Sequence, residues 1–176
     1  NMITQDTIGY CGFVKVMKMR GKDVVEERHL HNNGTDYLFQ SLAGTLCGYN
    51  KLADMPKYFD LGQTVDSEYR PCIATRVALT SKYVQNYRLS QDSVAKVGAV
   101  FTAYIPTRSI RFPESDLTNN KKINTLALYS NYSMQDGGTT CIAKISLNDL
   151  EALDLSDFQT DATHSLIVEW LMTFSN

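Results

Sequence analysis

The sequence predicts a mainly β protein, an antiparallel β-sandwich of jelly-roll-like architecture with one inserted α-helix. Three observations carry this prediction. Apolar and polar residues alternate with a period of two in about eight segments, short turn sequences separate these segments, and helical spacing occurs once. The 176 residues are enough for one domain with its own core. No change in composition and no repeat divides the chain, so we predict a single domain over 1–176.

The longest alternating segment covers residues 93–106. Its even positions are mixed, whereas its odd positions are all apolar: Ala95, Val97, Ala99, Phe101, Ala103 and Ile105. This pattern is typical of a strand that turns one face toward a core. Pro106 ends the strand, because proline has no amide hydrogen to donate to a sheet.

An N-terminal hairpin is predicted from strands at 12–20 and 24–31 and a turn at 21–23. In the first strand Phe13, Met17 and Met19 share one face, and Val14 and Val16 share the other. The second strand places acidic and basic residues between its apolar ones. We therefore predict that this hairpin is exposed on one face and lies at a sheet edge, where charge discourages unwanted pairing.

One helix is predicted after this hairpin. Leu38, Leu42 and Leu46 follow each other at four-residue steps, which is helical spacing. Asn33 is the predicted N-cap, and Gly48 is suited to the C-terminal end.

The rest of the chain supplies further strands joined by polar connections. In the last strand alternate residues from Leu166 to Phe174 face the core, and Ile167 and Leu171 face outward. The predicted strands are 56–62, 72–89 with a break near 81–82, 123–130, 139–147 and 165–174. The predicted connections are loops at 63–71 and 107–122, a turn at 134–138, and a loop or single helical turn at 148–163.

Charge and composition argue against several classes of protein. The net charge is −2, so no strong field would attract nucleic acid or an anionic membrane. No apolar run is long enough to span a bilayer, and the first residues lack the features of a secretion signal. The four cysteines are far apart, which favours free thiols in a reducing cytosol over zinc or disulfides: Cys11, Cys47, Cys72 and Cys141.

Metal binding has two candidate clusters. His29 and His31 point to the same side of a strand, and His164 is a possible third ligand, but two solvated histidines on a charged hairpin explain the pattern equally simply. The second cluster is a set of oxygen ligands suited to calcium: Asp154, Asp157 and Asp161. Neither cluster has the ligand spacing of a known motif, so we predict no metal site and no cofactor.

Catalytic motifs are also missing from the sequence. Carboxylates at Asp149 and Glu151 could in principle serve glycoside hydrolysis, but they lie in a loop-like stretch where charge usually meets solvent. The chain has no Gly-x-Ser-x-Gly nucleophile motif and no phosphate-binding loop. We therefore predict no catalytic residues and no enzyme activity.

Aromatic and apolar residues that face outward are candidates for protein contacts. The chain has ten tyrosines, and tyrosine at strand surfaces often anchors interfaces or stacks on sugars. The predicted contact residues of an oligomer are Tyr83, Tyr87, Tyr104, Ile167 and Leu171.

The order of these segments resembles that of small virion structural proteins of tailed bacteriophages, a class that includes minor structural, head-fibre, collar and tail proteins. The resemblance extends from Gly12 to the end of the chain and rests on pattern and order. The segments that carry it are 32–39, 56–62, 101–106, 123–130 and 168–174.

The resemblance implies a non-enzymatic building block that assembles with itself and with other virion proteins. It also implies that the protein resides in the virion after assembly in the host cytoplasm. The alternative is a carbohydrate-binding β-sandwich that recognises the host surface, for which a glycan would be the ligand. A hydrolase is a third hypothesis, which the missing motifs disfavour.

Overall fold

The described residues of a computed structural model fold into two main antiparallel β-sheets, a separate two-stranded ribbon and one α-helix, which confirms the predicted fold class. The jelly-roll connectivity stays a prediction. The structure describes residues 9–32, 34–49, 55–88, 94–112, 121–136, 138–156 and 163–175.

Twelve strands and the helix make up this part of the chain. The first six strands are β1 (Gly9–Arg20), β2 (Asp23–Asn32), β3 (Tyr58–Val65), β4 (Glu68–Pro71), β5 (Val77–Ala78) and β6 (Thr80–Arg88). The last six are β7 (Val94–Pro106), β8 (Lys122–Ile123), β9 (Thr125–Tyr129), β10 (Cys141–Ser146), β11 (Leu153–Asp154) and β12 (His164–Ser175). The helix α1 spans Asp36–Leu46.

The larger sheet has the strand order β2-β1-β12-β7-β6. β12 lies in its centre and pairs with β1 on one side and with β7 on the other. This register places Val14, Trp170 and Phe101 in one row on the inner face. Trp170 is fully buried, and its indole Nε1 donates to Asn32 Oδ1 at 3.2 Å. The charged hairpin strand β2 forms one edge of this sheet, as predicted.

The smaller sheet covers the inner face of the larger one. Its order is β10-β9-β3-β4, β5 also pairs with β3, and β8 and β11 form a separate two-stranded ribbon. The two inner faces form one hydrophobic core. The smaller sheet contributes Phe59, Leu61, Leu126, Leu128 and Ile145 to it, among others.

The long strand β7 follows its predicted pattern over its C-terminal half. Phe101, Ala103 and Ile105 are buried in the core. Val97 also lies at an inner position but is 39% exposed, so the prediction that it is a core residue is wrong. The side chains of residues 94–96 lie outside the described part. The apolar alternation thus continues beyond the region that the second sheet covers.

The predicted loop at 63–71 is instead strand structure. β3 continues to Val65, and the chain returns as β4 after a turn at Asp66 and Ser67, which both have positive φ. Gly62 makes this pairing possible, because a Cβ atom there would lie 2.2 Å from the carbonyl oxygen of Arg70. The polar sequence misled the prediction because much of this hairpin faces solvent, where strands also carry polar residues.

Other boundaries also differ from the predicted ones. Among its described residues, the predicted strand at 72–89 forms strand structure only in β5 and β6, and β6 runs without a break through Ser81 and Lys82. The segment 123–130 divides into β8 and β9, and the predicted loop at 148–163 contains the short strand β11. Leu153 and Leu155 are buried there and add to the core. This stretch contacts the larger sheet, because Arg28 donates to the carbonyl oxygen of Ala152 at 3.1 Å.

The helix forms where predicted but begins with another cap. The N-cap is Thr35, whose Oγ1 accepts from the amide of Leu38 at 3.3 Å, so the assignment of Asn33 is wrong. Gly48 follows the helix with a φ of 73°, as expected of a terminating glycine. Leu38 is buried, whereas Leu46 is 90% exposed, so the predicted apolar stripe packs only over its first part. Within the described ranges, no helix is long and apolar enough to cross a membrane.

The central position of Trp170 gives a test of this architecture. Trp170→Phe removes part of a fully buried side chain together with its hydrogen bond to Asn32. We expect the free energy of unfolding to fall by roughly 2–3 kcal/mol, because a cavity forms and a buried polar contact is lost. Urea denaturation followed by circular dichroism measures this change. The control is Tyr132→Phe at a side chain that is largely exposed, for which we expect a change below about 0.5 kcal/mol. Equal losses in the two variants would contradict this role of Trp170.

Candidate functional site

Three of the predicted contact residues lie on the outer face of the larger sheet. Tyr104 and Ile167 are direct neighbours in the register of β7 and β12, and Leu171 pairs with Val100 on the same face. Tyr104 is 59% exposed and Ile167 is partly buried. Leu171 is only 5% exposed, so it offers little surface to a partner.

A fourth predicted contact residue, Tyr83, lies on the opposite face of that sheet. Tyr83 pairs with Ala99, which puts it on the side of β6 that faces the core layer. Tyr83 is nevertheless 65% exposed, because β6 ends the sheet among the described strands. The side chain of the fifth, Tyr87, lies outside the described part. The four described residues therefore form two groups rather than one patch.

Ion pairs cross the outer face of the larger sheet. Lys15 lies between two carboxylates, 3.6 Å from Glu27 and 3.5 Å from Glu169. His29 Nε2 is 3.3 Å from the other oxygen of Glu27. All of these side chains are substantially exposed, so each pair adds little to stability.

The histidines do not come together as metal ligands. His29 and His31 do share a face, but the ring of His31 packs edge-on against Phe13 at 4.7 Å between centroids. His164 is buried, and its Nε2 accepts a hydrogen bond from Arg20 Nε at 3.1 Å. In the part of the chain that the structure describes, no three His, Cys, Asp or Glu side chains could hold a metal ion.

Only some of the acidic residues considered as calcium ligands or catalytic groups lie in the described part of the chain. Asp154 accepts hydrogen bonds from the hydroxyl and amide of Ser156, which lower the pKa of its carboxyl group. Asp157 and Asp161 lie outside the described residues. Asp149 and Glu151 are exposed in the connection before β11.

The two edges of the larger sheet differ in character. β2 carries four charged residues between positions 23 and 28, and its register with β1 shifts between Lys18 and Met19. Charge and irregular register both protect an edge from pairing with another strand. β6 has nine residues, no proline, and only Lys82 and Arg88 as charged residues. Its register with β7 runs without a shift.

A polar cavity lies on the outer face of the smaller sheet. It has a volume of about 510 Å³ and is lined by residues of β3, β4, β9 and β10 together with Arg76. Asp60 and Arg76 lie in it as a buried ion pair, with side chains 2% and 3% exposed. Lys144 lies in the same row of the sheet as Asp60, since both pair with Ala127.

Arg76 is held from three sides. Its Nη1 donates to the carbonyl oxygen of Asn131 at 2.7 Å, and its guanidinium carbon lies 3.5 Å from the ring centre of Tyr129. Its Nε is 3.9 Å from Asp60 Oδ2, which is an ion-pair distance rather than a hydrogen bond. Asp60 Oδ1 accepts from the amide of Leu61 at 2.8 Å. Burial of such a pair costs several kcal/mol of desolvation per ion, so its occurrence in a sandwich needs a reason beyond stability.

Tyr69 forms the wall of the cavity toward Lys144. The Lys144 ammonium lies 5.9 Å from the centre of the Tyr69 ring. The Tyr69 hydroxyl is buried near the Asp60 carboxylate, but it forms no hydrogen bond of normal geometry with a described residue. Its burial, and next the charge of Asp60, raise the pKa of Tyr69 far above its usual value, so the hydroxyl keeps its proton at neutral pH.

A second hollow lies nearby on the same side of the molecule. Its volume is about 340 Å³, and it is lined by three tyrosines together with polar groups: Tyr37, Tyr58, Tyr132, Lys57, Ser130, Asn131 and Thr140. We refer to it as the three-tyrosine hollow. The rings of Tyr58 and Tyr132 lie 6.1 Å apart at an angle of 54°, so their faces are not parallel.

Sequence analysis did not identify the cavity. One signal was present, because Asp60 stands between Phe59 and Leu61 inside a predicted strand. A lone carboxylate there indicates that one sheet face carries a polar group. No sequence pattern pointed to Arg76, because only the folded structure places it over the ring of Tyr129 in β9.

Comparisons with known proteins do not assign a function to this chain. No family model matches the chain, and no curated protein and no solved structure matches it.

Two buried tyrosines predict how the protein responds to alkali. Burial raises the pKa of Tyr10 to about 12 and also raises that of Tyr69. Since the folded protein holds these protons more tightly than the unfolded chain, the contribution of the two groups to stability is constant below about pH 10. It is lost as the pH rises above that value, at about 1.4 kcal/mol per pH unit for each group until the group ionises in the folded protein. Absorbance at 295 nm during a pH titration should show that Tyr10 and Tyr69 ionise late. Tyr10→Phe and Tyr69→Phe should each remove one late step. Normal ionisation of all tyrosines in the folded protein would contradict this burial.

Proposed function

We propose that this chain is a non-enzymatic structural component of a bacteriophage virion, which assembles with copies of itself and with neighbouring virion proteins. The observation that carries the assembly part is the unprotected edge strand β6. The virion part rests on the resemblance of the segment order to virion structural proteins, and a β-sandwich fold is compatible with it.

The edge strand β6 is suited to pair with another strand. Its outward backbone groups pair with no other described strand, because β6 ends the sheet. Residues 80–83 and Gln85 are exposed. Natural proteins usually protect a long, regular edge strand from pairing with another chain. In this chain the charges and the shifted register protect β2 in that way, whereas β6 has little of either protection.

The partner at this edge is a second copy of the chain. Antiparallel pairing of β6 with its own copy needs only a two-fold axis and uses the same surface on both subunits. It joins two five-stranded sheets into one continuous sheet. Tyr83, 65% exposed and next to the edge, then contributes aromatic contact area. The group formed by Tyr104 and Ile167 lies on the other face, where further virion proteins can bind.

Added charge on β6 tests this assembly. Tyr83→Lys with Gln85→Lys places four like charges along the shared edge of a two-fold pair, besides the two copies of Lys82. We expect the wild-type protein to be a dimer or larger at 10–100 μM, roughly the range in which modest interfaces form, and the variant to be monomeric by light scattering. Both changed side chains are exposed, so the thermal unfolding temperature should stay nearly the same.

The matched control changes the other edge. His29→Lys with His31→Lys adds the same number of lysines to β2, at two exposed positions, and should leave the oligomer intact. A monomeric wild-type protein, or dissociation of both variants, would show that β6 is not the interface. Mass spectrometry of purified particles of the phage that encodes the chain tests the virion part separately.

The three-tyrosine hollow favours glycan binding as a second candidate function. Tyrosine rings beside amide, hydroxyl and ammonium groups form a common setting for sugars, because the rings contact the apolar face of the sugar and the polar groups bind its hydroxyls. Tyr132 is 62% exposed and accessible to a ligand. The tilt between Tyr58 and Tyr132 argues for one sugar unit stacked on the exposed ring of Tyr132 rather than a chain lying along both rings.

A glycan array tests this candidate. We expect specific binding that Tyr132→Ala weakens by about tenfold, since stacking on an aromatic ring contributes on the order of 1 kcal/mol or more. Tyr104→Ala, at a similarly exposed tyrosine on the other sheet, is the control and should bind as the wild type does. An array without specific binding would rule out this function.

A further inference from the structure

The cavity around Asp60 and Arg76 has features that the assembly role does not use. It lies on the outer face of the smaller sheet, whereas the proposed assembly edge belongs to the larger one. Its volume of about 510 Å³ falls in the range of about 300–1,000 Å³ that is typical of small-molecule sites. We propose that this cavity is a binding site for a small hydroxylated carboxylate, of the size and chemistry of a sugar acid.

The Tyr69 hydroxyl is the first reason. Buried polar atoms nearly always have a hydrogen-bond partner, and one without a partner costs stability. This hydroxyl is buried in the wall of the cavity beside the Asp60 carboxylate, and it forms no hydrogen bond of normal geometry with a described residue. Because it stays protonated at neutral pH, it can donate to an oxygen of a ligand and accept from a second group.

The charges around the cavity determine the class of ligand. Asp60 and Arg76 compensate each other at the inner end, and Lys144 adds an ammonium group that forms no ion pair within the described residues. The cavity therefore has an excess of one positive charge. A single carboxylate next to Lys144 neutralises that excess.

Asp60 excludes simpler anions. Its carboxylate is 2% exposed and lies in the same cavity, so a phosphate or sulfate ion there would meet a negative charge at low dielectric. A hydroxyl group, in contrast, can donate to a carboxylate oxygen, as sugar hydroxyls do. Binding therefore requires hydroxyls toward Asp60 and Tyr69 and one acid group toward Lys144.

The aromatic rings of the cavity also argue against a neutral sugar. The ring of Tyr129 is 5% exposed, and Arg76 lies over it at 3.5 Å. Its face is therefore not available for stacking, in contrast to the rings of the three-tyrosine hollow. Recognition in this cavity depends on charge and hydrogen bonds, which distinguishes the two sites.

The test compares two probes that differ only in the acid group. Calorimetric titration of the full chain with D-galacturonate should show saturable binding in the millimolar range, which is about what a few hydrogen bonds and one ion pair provide for so small a ligand. D-galactose and inorganic phosphate should each bind at least about tenfold more weakly, since the first lacks the charge and the second meets Asp60.

Two variants locate the binding. Tyr69→Phe removes only the hydroxyl and should weaken galacturonate binding about fivefold, the usual value of one hydrogen bond. Because that hydroxyl forms no hydrogen bond of normal geometry with a described residue, the variant should be at least as heat-stable as the wild type. Lys144→Gln, at an exposed position, should abolish the preference for galacturonate over galactose. Tyr132→Phe in the three-tyrosine hollow is the control and should bind galacturonate normally.

Several outcomes would overturn the proposal. These are no saturable galacturonate binding, equal binding of galactose, or unchanged affinity in Tyr69→Phe. Loss of binding in Tyr132→Phe alone would move the site to the other hollow and so reject this one. The oligomeric state of Tyr69→Phe should equal that of the wild type, so failure of this proposal and failure of the assembly proposal are measured independently.

Discussion

The pairing of β12 with both β1 and β7 is the constraint on which the rest of the fold depends. It places the chain's last described strand between two segments that are about 80 residues apart in sequence, in register over nearly its full length. Trp170 stands in the middle of that register, fully buried and hydrogen-bonded to Asn32 of the neighbouring hairpin. Once this register is set, the inner face presents one continuous apolar surface, and the smaller sheet can cover it. A slip of one residue would exchange the two faces of β12 and place Glu169 in the core.

The two sheets then take different roles. The larger sheet has one edge with four charged residues and a shifted register, and another edge with only two charged residues and a regular register. The smaller sheet turns a polar face outward, and the ion pair of Asp60 and Arg76 lies there within a cavity. Buried charges add little net stability compared with apolar residues of similar size. Together with the buried hydroxyl of Tyr69, the pair is better explained by recognition of a ligand than by the needs of the fold.

Much of the fold could be predicted from residue patterns, and the failures have a common cause. The alternation in β1, β7, β9 and β12 and the spacing in α1 identified these elements, because each has a face that must be buried. The prediction failed at 63–71, where a hairpin made largely of solvent-facing residues carries no apolar signal. It failed at Val97, where apolar alternation continues beyond the second sheet. It also failed at the helix N-cap, which is Thr35 rather than Asn33 and is fixed against β10 by a hydrogen bond from its amide to the carbonyl oxygen of Ile142.

The sequence by itself determined that this protein is built of antiparallel strands around a core, with one helix and a charged edge hairpin. These properties follow from local periodicity, which a single strand carries in its own residues. The tertiary structure alone decided that Tyr83 and Tyr104 lie on opposite faces, that Leu171 is covered, and that Arg76 reaches Asp60 and Tyr129. Such contacts join residues that are distant in the chain, and strand register, which no single segment encodes, sets them.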